Sequence, residues 1–224
     1  IQGEIERAIK NVTGEDVDLI GSGRTDAGVH AFGQVANFKF NSDFPIEKMA
    51  TAINSQLKKS IRVLKAEEVD LDFHSRYNCH KKTYAYMIDN SEQGTAIYRN
   101  VTYHISQPLD IEAMQKAADY LVGEHDFSSF KSSGTSSKNS VRTIYNAQIL
   151  KEQQRVIIML TGSGFLYNMV RIIAGTLVEI GLGHMKPTEM KNILEAKNRQ
   201  MAGKTLPAQG LFLMSVDFGD GSQR

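Results

Sequence analysis

From Leu166 to Ile180 the chain reads as a helix that is apolar on nearly every side, with Arg171 as its one cation. A helix of that kind must be covered all round, and it falls short of the roughly 20 residues needed to span a bilayer. Other elements of the same chain therefore have to enclose it. Strand patterns stand on both sides: Thr143 to Lys151 and Arg155 to Gly162 before it, Leu211 to Phe218 after it. With 224 residues the chain can bury roughly 70% of its unfolded surface, enough for such a core.

The remaining periodicities extend the same grammar. Ile1, Ile5, Ala8, Ile9 and Val12 fall at helical spacing, and Gly14 supplies a stop. A short strand is expected over Val17 to Ile20. A long one follows from Val29 to Phe40, where Ala36, Phe38 and Phe40 alternate with Val35, Asn37 and Lys39. Pro45 opens a helix carrying Ile46, Met49, Ala50, Ile53 and Leu57, and Ile61 to Val69 reads as a strand. Thr83 to Asp89 alternates with Tyr84, Tyr86 and Ile88 on one face, and Asp110 caps a helix through Leu121. Ser128 to Ser140, with seven serines, reads as a mobile loop, and Pro187 opens a last short helix. The pattern predicts an α+β fold of two similar subdomains, 1–78 and 79–224, with mainly antiparallel sheets flanked by helices.

A single cysteine, Cys79, excludes an internal disulfide and a multi-cysteine zinc site, and the six scattered histidines form no ligand motif. No signal-peptide pattern opens the chain, so a soluble, cytoplasmic protein is expected. The formal net charge of +1 decides nothing about partners, but its distribution is uneven. Lys131, Lys138, Arg142 and Lys151 occur between Phe127 and Lys151 without a carboxylate. Arg76, Lys81 and Lys82 do the same between Phe73 and Ile88, with Tyr77, Tyr84 and Tyr86 among them. Either stretch alone suits a solvated face. Together they suit RNA, which takes cations along phosphates and aromatic faces against bases.

The turn Gly21-Ser22-Gly23-Arg24-Thr25-Asp26-Ala27-Gly28 carries the most chemistry. It is no dinucleotide fingerprint, because Asp26 stands where the third glycine belongs, and no phosphate-binding P-loop, because Val29 replaces the lysine. It is no aspartic-protease motif either, because Ala27 fills the middle position. What remains is a carboxylate between glycines that leave room for a ligand near the main chain. A carboxylate beside an arginine suits a nucleophile better than a general acid. The same pattern also suits Asp26 as a turn cap paired with Arg24. Far downstream, Arg171 must either snorkel outward or meet a carboxylate, since a buried unpaired cation is very costly. Asp26 is a plausible partner for it.

The run Gly21 to Ala31 closely resembles the signature of the TruA-type tRNA pseudouridine synthases. The resemblance continues through Lys82 to Tyr86, Asp126 to Phe130, Gly164 to Arg171 and Gly210 to Leu213, in family order. It implies an isomerase that converts uridine to pseudouridine at positions 38, 39 and 40 in the anticodon arm of tRNA. It also implies a homodimer of two-subdomain chains, each with a catalytic cleft between its halves, and no metal or organic cofactor. Carried over, Asp26 is the nucleophile, Arg171 its basic partner, Tyr84 the platform under the target uracil, and Arg24 a residue that handles the RNA. Lys81, Lys82, Lys131 and Lys138 are the expected phosphate contacts. One departure stands out: the chain opens at the helix that follows the family's first strand, and it holds no Trp. The resemblance thus implies a first sheet one strand short, with an exposed edge.

Two other readings use the same residues. An RNA-binding module without activity would keep tRNA affinity and form no pseudouridine. A glycosidase-like hydrolase would use Asp26 as nucleophile but needs a second catalytic carboxylate, and none stands out.

Overall fold

The computed structural model describes residues 1–41, 43–134 and 139–219. In chain order its first elements are α1 (Gln2–Thr13), β1 (Ile20–Gly21), β2 (His30–Ala31), β3 (Ala36–Asn37), α2 (Ile46–Gln56) and β4 (Lys81–Asp89). There follow β5 (Tyr103–His104), α3 (Ile111–Asp119), β6 (Gly123–Asp126), β7 (Val141–Glu152) and β8 (Arg155–Gly162). α4 (Met169–Gly181), α5 (Glu189–Ala196) and β9 (Leu211–Asp217) complete the series. The chain divides into two compact units, the first made of Ile1–Arg24, Gln34–Cys79 and the chain from Phe218, the second of Thr25–Gly33 and His80–Asp217.

In the first unit α1 ends as its sequence demands: Gly14 takes a left-handed conformation (φ 80°) and its N–H reaches Lys10 O. Ala8 and Ile9 of α1 pack with Leu19, Leu57 and with Met49 and Ile53 of α2, and Phe38, Phe40, Ile61 and Val63 close this core. Among its described residues the only ladder is the antiparallel pair β1–β3, with Ile20 opposite Asn37. Buried Ser75 ties both strands, its Oγ donating to Ile20 O (2.6 Å) and its N–H to Asn37 Oδ1 (2.9 Å).

Three strand expectations fail in instructive ways. Val17 to Ile20 forms a ladder only at its end. The long strand over Val29 to Phe40 is two short ones, because the chain changes partner between them. Phe32 N–H and Gly33 N–H both point to Leu213 O, whereas Val35 O receives Ser22 N–H. Ile61 to Val69 contains no strand. There the Asn54 side chain takes the place of a neighbouring strand, donating to Val63 O and accepting from Val63 N–H, both at 2.8 Å.

The second unit is built on a seven-stranded sheet in the order β2-β9-β4-β8-β7-β6, with β5 added beside β4. It is mixed, since β2–β9 and β4–β5 are parallel and the other pairs antiparallel. The fold is thus α+β, and its mixed sheet is mainly antiparallel, the two parallel pairings spanning only two residues each. β8 alternates strictly, burying Val156, Ile158 and Leu160, and β4 buries Tyr84, Tyr86 and Ile88. α4 packs on α3 and β4, and nearly all of its residues are buried, which meets the demand of its apolar run. Asp110 Oδ1 accepts Ala113 N–H (2.9 Å) and caps α3.

α4 begins three residues later than the apolar run. Asn168 sits left-handed (φ 60°) in front of it, so Leu166 and Tyr167 enter as a turn. The serine-rich segment opens in order: Ser128–Phe130 is a 3₁₀ turn, and buried Ser129 Oγ donates to Ile193 O. Lys138 lies outside the described residues. Among the described residues no helix is long and apolar enough to cross a membrane.

Candidate active site

Within the signature run, Gly21 to Arg24 belong to the first unit and Thr25 to Gly28 to the second. In the first unit Gln34 secures it: Ser22 Oγ donates to Gln34 Oε1 (2.6 Å), and Gln34 Nε2 donates to Gly23 O (2.9 Å). Arg24, next in line, is exposed. In the second unit Asp26 O accepts Val29 N–H (3.1 Å), closing a turn in which Gly28 is left-handed (φ 87°). An L side chain adopts that conformation only with strain.

Asp26 Oδ2 meets Arg171 Nη1 at 3.0 Å, the side chains being 32% and 17% exposed. The cation on this aspartate is therefore Arg171, from α4. Its guanidinium is held on two further sides. Nε donates to Leu206 O (2.7 Å), and Nη1 donates also to Asn168 Oδ1 (2.8 Å). Leu206 N–H in turn reaches Arg171 O (3.3 Å), so the two residues exchange a pair of hydrogen bonds. A guanidinium whose donors are fixed in this way presents one direction to its carboxylate. Asp26 makes no other side-chain hydrogen bond among the described residues, and a third of it faces solvent.

The clamp on Arg171 depends on close backbone approach. Gly203 N–H donates to Thr176 Oγ1 (2.9 Å). A Cβ on Gly203 would lie 2.6 Å from Thr176 N, and one on Gly175 would collide with the Lys204 carbonyl oxygen. Two glycines thus let the segment that carries Leu206 lie directly on α4. Tyr86 supports the next residue, its hydroxyl donating to Pro207 O (2.7 Å). Burial pushes the Tyr86 phenol well above its ordinary range, against the opposing charge of Arg171. Gly210 leaves room for that ring, since its Cβ would stand 2.7 Å from Tyr86 Cζ.

The other expected site residues are placed as follows. Tyr84 is 9% exposed and meets Phe165 edge to face, with centroids 5.1 Å apart. Lys81 pairs with Asp217 at 3.0 Å, a carboxylate that the local sequence gave no sign of. Lys82 follows it on β4, half-buried. Lys131 Nζ donates to Ser140 Oγ (3.0 Å). Among the described residues no three His, Cys, Asp or Glu side chains gather so as to hold a metal ion. Asn168, Leu206 and Gln34 were not singled out from sequence. The only trace of Asn168 was its place in the Gly164 to Arg171 block.

A family model of the tRNA pseudouridine synthases matches residues 1–78 and 117–219. The tRNA pseudouridine synthase A of Acetivibrio thermocellus is 51% identical over 216 residues, 96% of this chain and 88% of that protein. Those of Caldicellulosiruptor saccharolyticus and Brevibacillus brevis are 51% and 50% identical over the same shares. The chain belongs to the tRNA pseudouridine synthase family. As a tRNA pseudouridine synthase it is an isomerase. The stretches matched by the family model include Arg24, Asp26, Asn168, Arg171 and Leu206. They leave out residues 79–116, where Lys81, Lys82 and Tyr84 stand.

Proposed function

We propose that this synthase converts uridine to pseudouridine at positions 38, 39 and 40 of the tRNA anticodon arm, with Asp26 as its nucleophile. The observation that carries the reading is the Asp26–Arg171 pair: a partly exposed carboxylate in the signature turn, aimed by a guanidinium fixed at three points. Isomerisation breaks an N-glycosidic bond and remakes it to carbon 5 of the same uracil, with no redox change and no energy input. A carboxylate serves this by attacking the sugar or the ring, or by removing a sugar proton.

The target base must leave its stack to be reached, at a cost of roughly a few kcal/mol that an aromatic surface offsets. In this reading Tyr84 supplies that surface, and Arg24 handles the RNA or the extruded nucleotide. Lys81, Lys82, Lys131 and Lys138 contact phosphates. The reading also takes the protein as a homodimer and its two compact units as the family's two subdomains.

The test is tritium release from tRNA carrying 5-tritiated uridine, since forming the new bond at carbon 5 expels that hydrogen. Release by the parent chain and none by Asp26→Ala, with tRNA binding retained, is the expected outcome. Release by Asp26→Ala at the parent rate would refute the assigned role. Substrates with cytidine in turn at 38, 39 and 40 test the positions, each replacement removing one pseudouridine from the product.

A further inference from the structure

Asn168 stands at the junction of three things: the turn before α4, the segment after Phe130, and the Arg171 guanidinium. It is one of three non-glycine residues with positive φ among those described, at 60°. Asparagine tolerates that region better than most residues, but the conformation still has to be held in place. Two hydrogen bonds hold it. Asn168 Nδ2 donates to Ser132 Oγ (3.0 Å), and Asn168 Oδ1 accepts from Arg171 Nη1 (2.8 Å). A third contact fixes the same neighbourhood, Ser132 N–H donating to Tyr167 O (3.2 Å).

The amide is therefore orientated by what it binds. Its donor end is taken by a hydroxyl, so its oxygen is the end that faces the guanidinium. Arg171 Nη1 carries two hydrogens, and these go to Asn168 and to Asp26. Without the Asn168 oxygen, the guanidinium would keep Leu206 on Nε but lose the contact that fixes its rotation at the Asp26 end. An aspartate whose cation can turn has no single direction of attack. The side chain does not cap α4 at all, since it accepts from no backbone N–H of the first turn.

We infer that Asn168 is a positioning residue of the synthase, which holds Arg171 in the rotation that aims Asp26, and is itself held by Ser132. The inference rests on the reading of Asp26 and Arg171 as the catalytic pair. It predicts a loss in turnover rather than in tRNA affinity, because Asn168 acts on the pair and not on the RNA.

Asn168→Gly tests it cleanly, since glycine accepts the left-handed backbone and only the amide is lost. Under single-turnover tritium release the rate should fall about 10- to 100-fold, the scale of a small misplacement of reacting groups, with half-saturation changed less than about threefold. In an Arg171→Lys background the same substitution should cost less than about twofold, because its target is gone. An equal loss in both backgrounds would make Asn168 an ordinary structural residue, and no loss in the parent would dismiss it.

A second measurement does not depend on activity. In ¹⁵N spectra of the full chain, Arg171 signals are assigned by their disappearance in Arg171→Lys. Separate, slowly exchanging Nη signals should merge in Asn168→Gly, and unchanged signals overturn the inference. A parent chain that releases no tritium would fail the function reading instead, and these spectra would still decide the role of Asn168.

Discussion

Gly203→Ala puts the packing under the candidate active site to a quantitative test. At Gly203 the segment that carries Leu206 touches the α4 backbone with no side chain between them. An added Cβ would stand 2.6 Å from Thr176 N, 2.7 Å from Gly175 C and 2.8 Å from Gly175 O. These are main-chain atoms inside a buried helix, so the segment itself must withdraw. Moving 2.6 Å out to a tolerable 3.0 Å needs about 0.4 Å, and an ordinary contact of 3.4 Å needs about 0.8 Å. The larger movement would stretch the Gly203 N–Thr176 Oγ1 bond from 2.9 Å to about 3.7 Å, beyond hydrogen-bonding range. Overpacking costs about 1–3 kcal/mol and a lost buried hydrogen bond about 1 kcal/mol. Against this, alanine stiffens the unfolded chain by about 0.4–1 kcal/mol. The net is a loss of about 2 kcal/mol, or about 4–8 °C in Tm for a domain of this size. Thermal melts followed by circular dichroism measure it, with Gly3→Ala as control because an added Cβ there meets no atom of the described residues within 4 Å. Tritium release well below the melt should be slowed as well, since Leu206 O moves away from Arg171 Nε. A variant as stable as the parent, or more so, would falsify the close approach and with it the account of how Arg171 is held.

Three further perturbations have expected outcomes. Tyr86→Phe leaves Pro207 O without its 2.7 Å donor and should cost about 1–2 kcal/mol in urea unfolding at neutral pH. Because the folded phenol ionises at higher pH than the unfolded one, the parent loses stability as pH rises above about 10, and Tyr86→Phe should lose less there. Asp126 is held below its ordinary range, first by the Ser128 hydroxyl at 2.6 Å and further by Lys197. Its contribution is therefore complete above about pH 4 and fades as pH falls below that, so the urea-midpoint gap between parent and Ser128→Ala should narrow at acid pH. A gap that widened there would reverse the sign argued for Asp126. Salt titration of tRNA binding should show a slope reduced by about 0.7–0.9 for each phosphate contact removed by Lys82→Ala or Lys131→Ala, and slopes equal to the parent's would exclude those lysines.

The sequence made some of this legible because certain residues are intolerable without a partner. A cation inside an apolar helix has to find a carboxylate or a way to water, so Arg171 pointed beyond its own helix, and Asp26 meets it. The apolar run itself demanded cover on all sides and has it. Alternation was a poorer guide, because it reports which side chains are sheltered and not what their main chain bonds to. Val29 to Phe40 alternates across a change of partner that no side chain announces, and Ile61 and Val63 reach a core while Asn54 supplies Val63 with its main-chain bonds. The support of the site was illegible for a related reason. Arg171 is aimed by the carbonyl of Leu206, by an asparagine in a left-handed turn and by two glycines without side chains to notice. A main-chain carbonyl has the same chemistry under any residue, so its role exists only once the chain is folded. It follows that substitutions at Gly175, Gly203 and Asn168, which remove no charge, should impair the synthase through the orientation of one that remains.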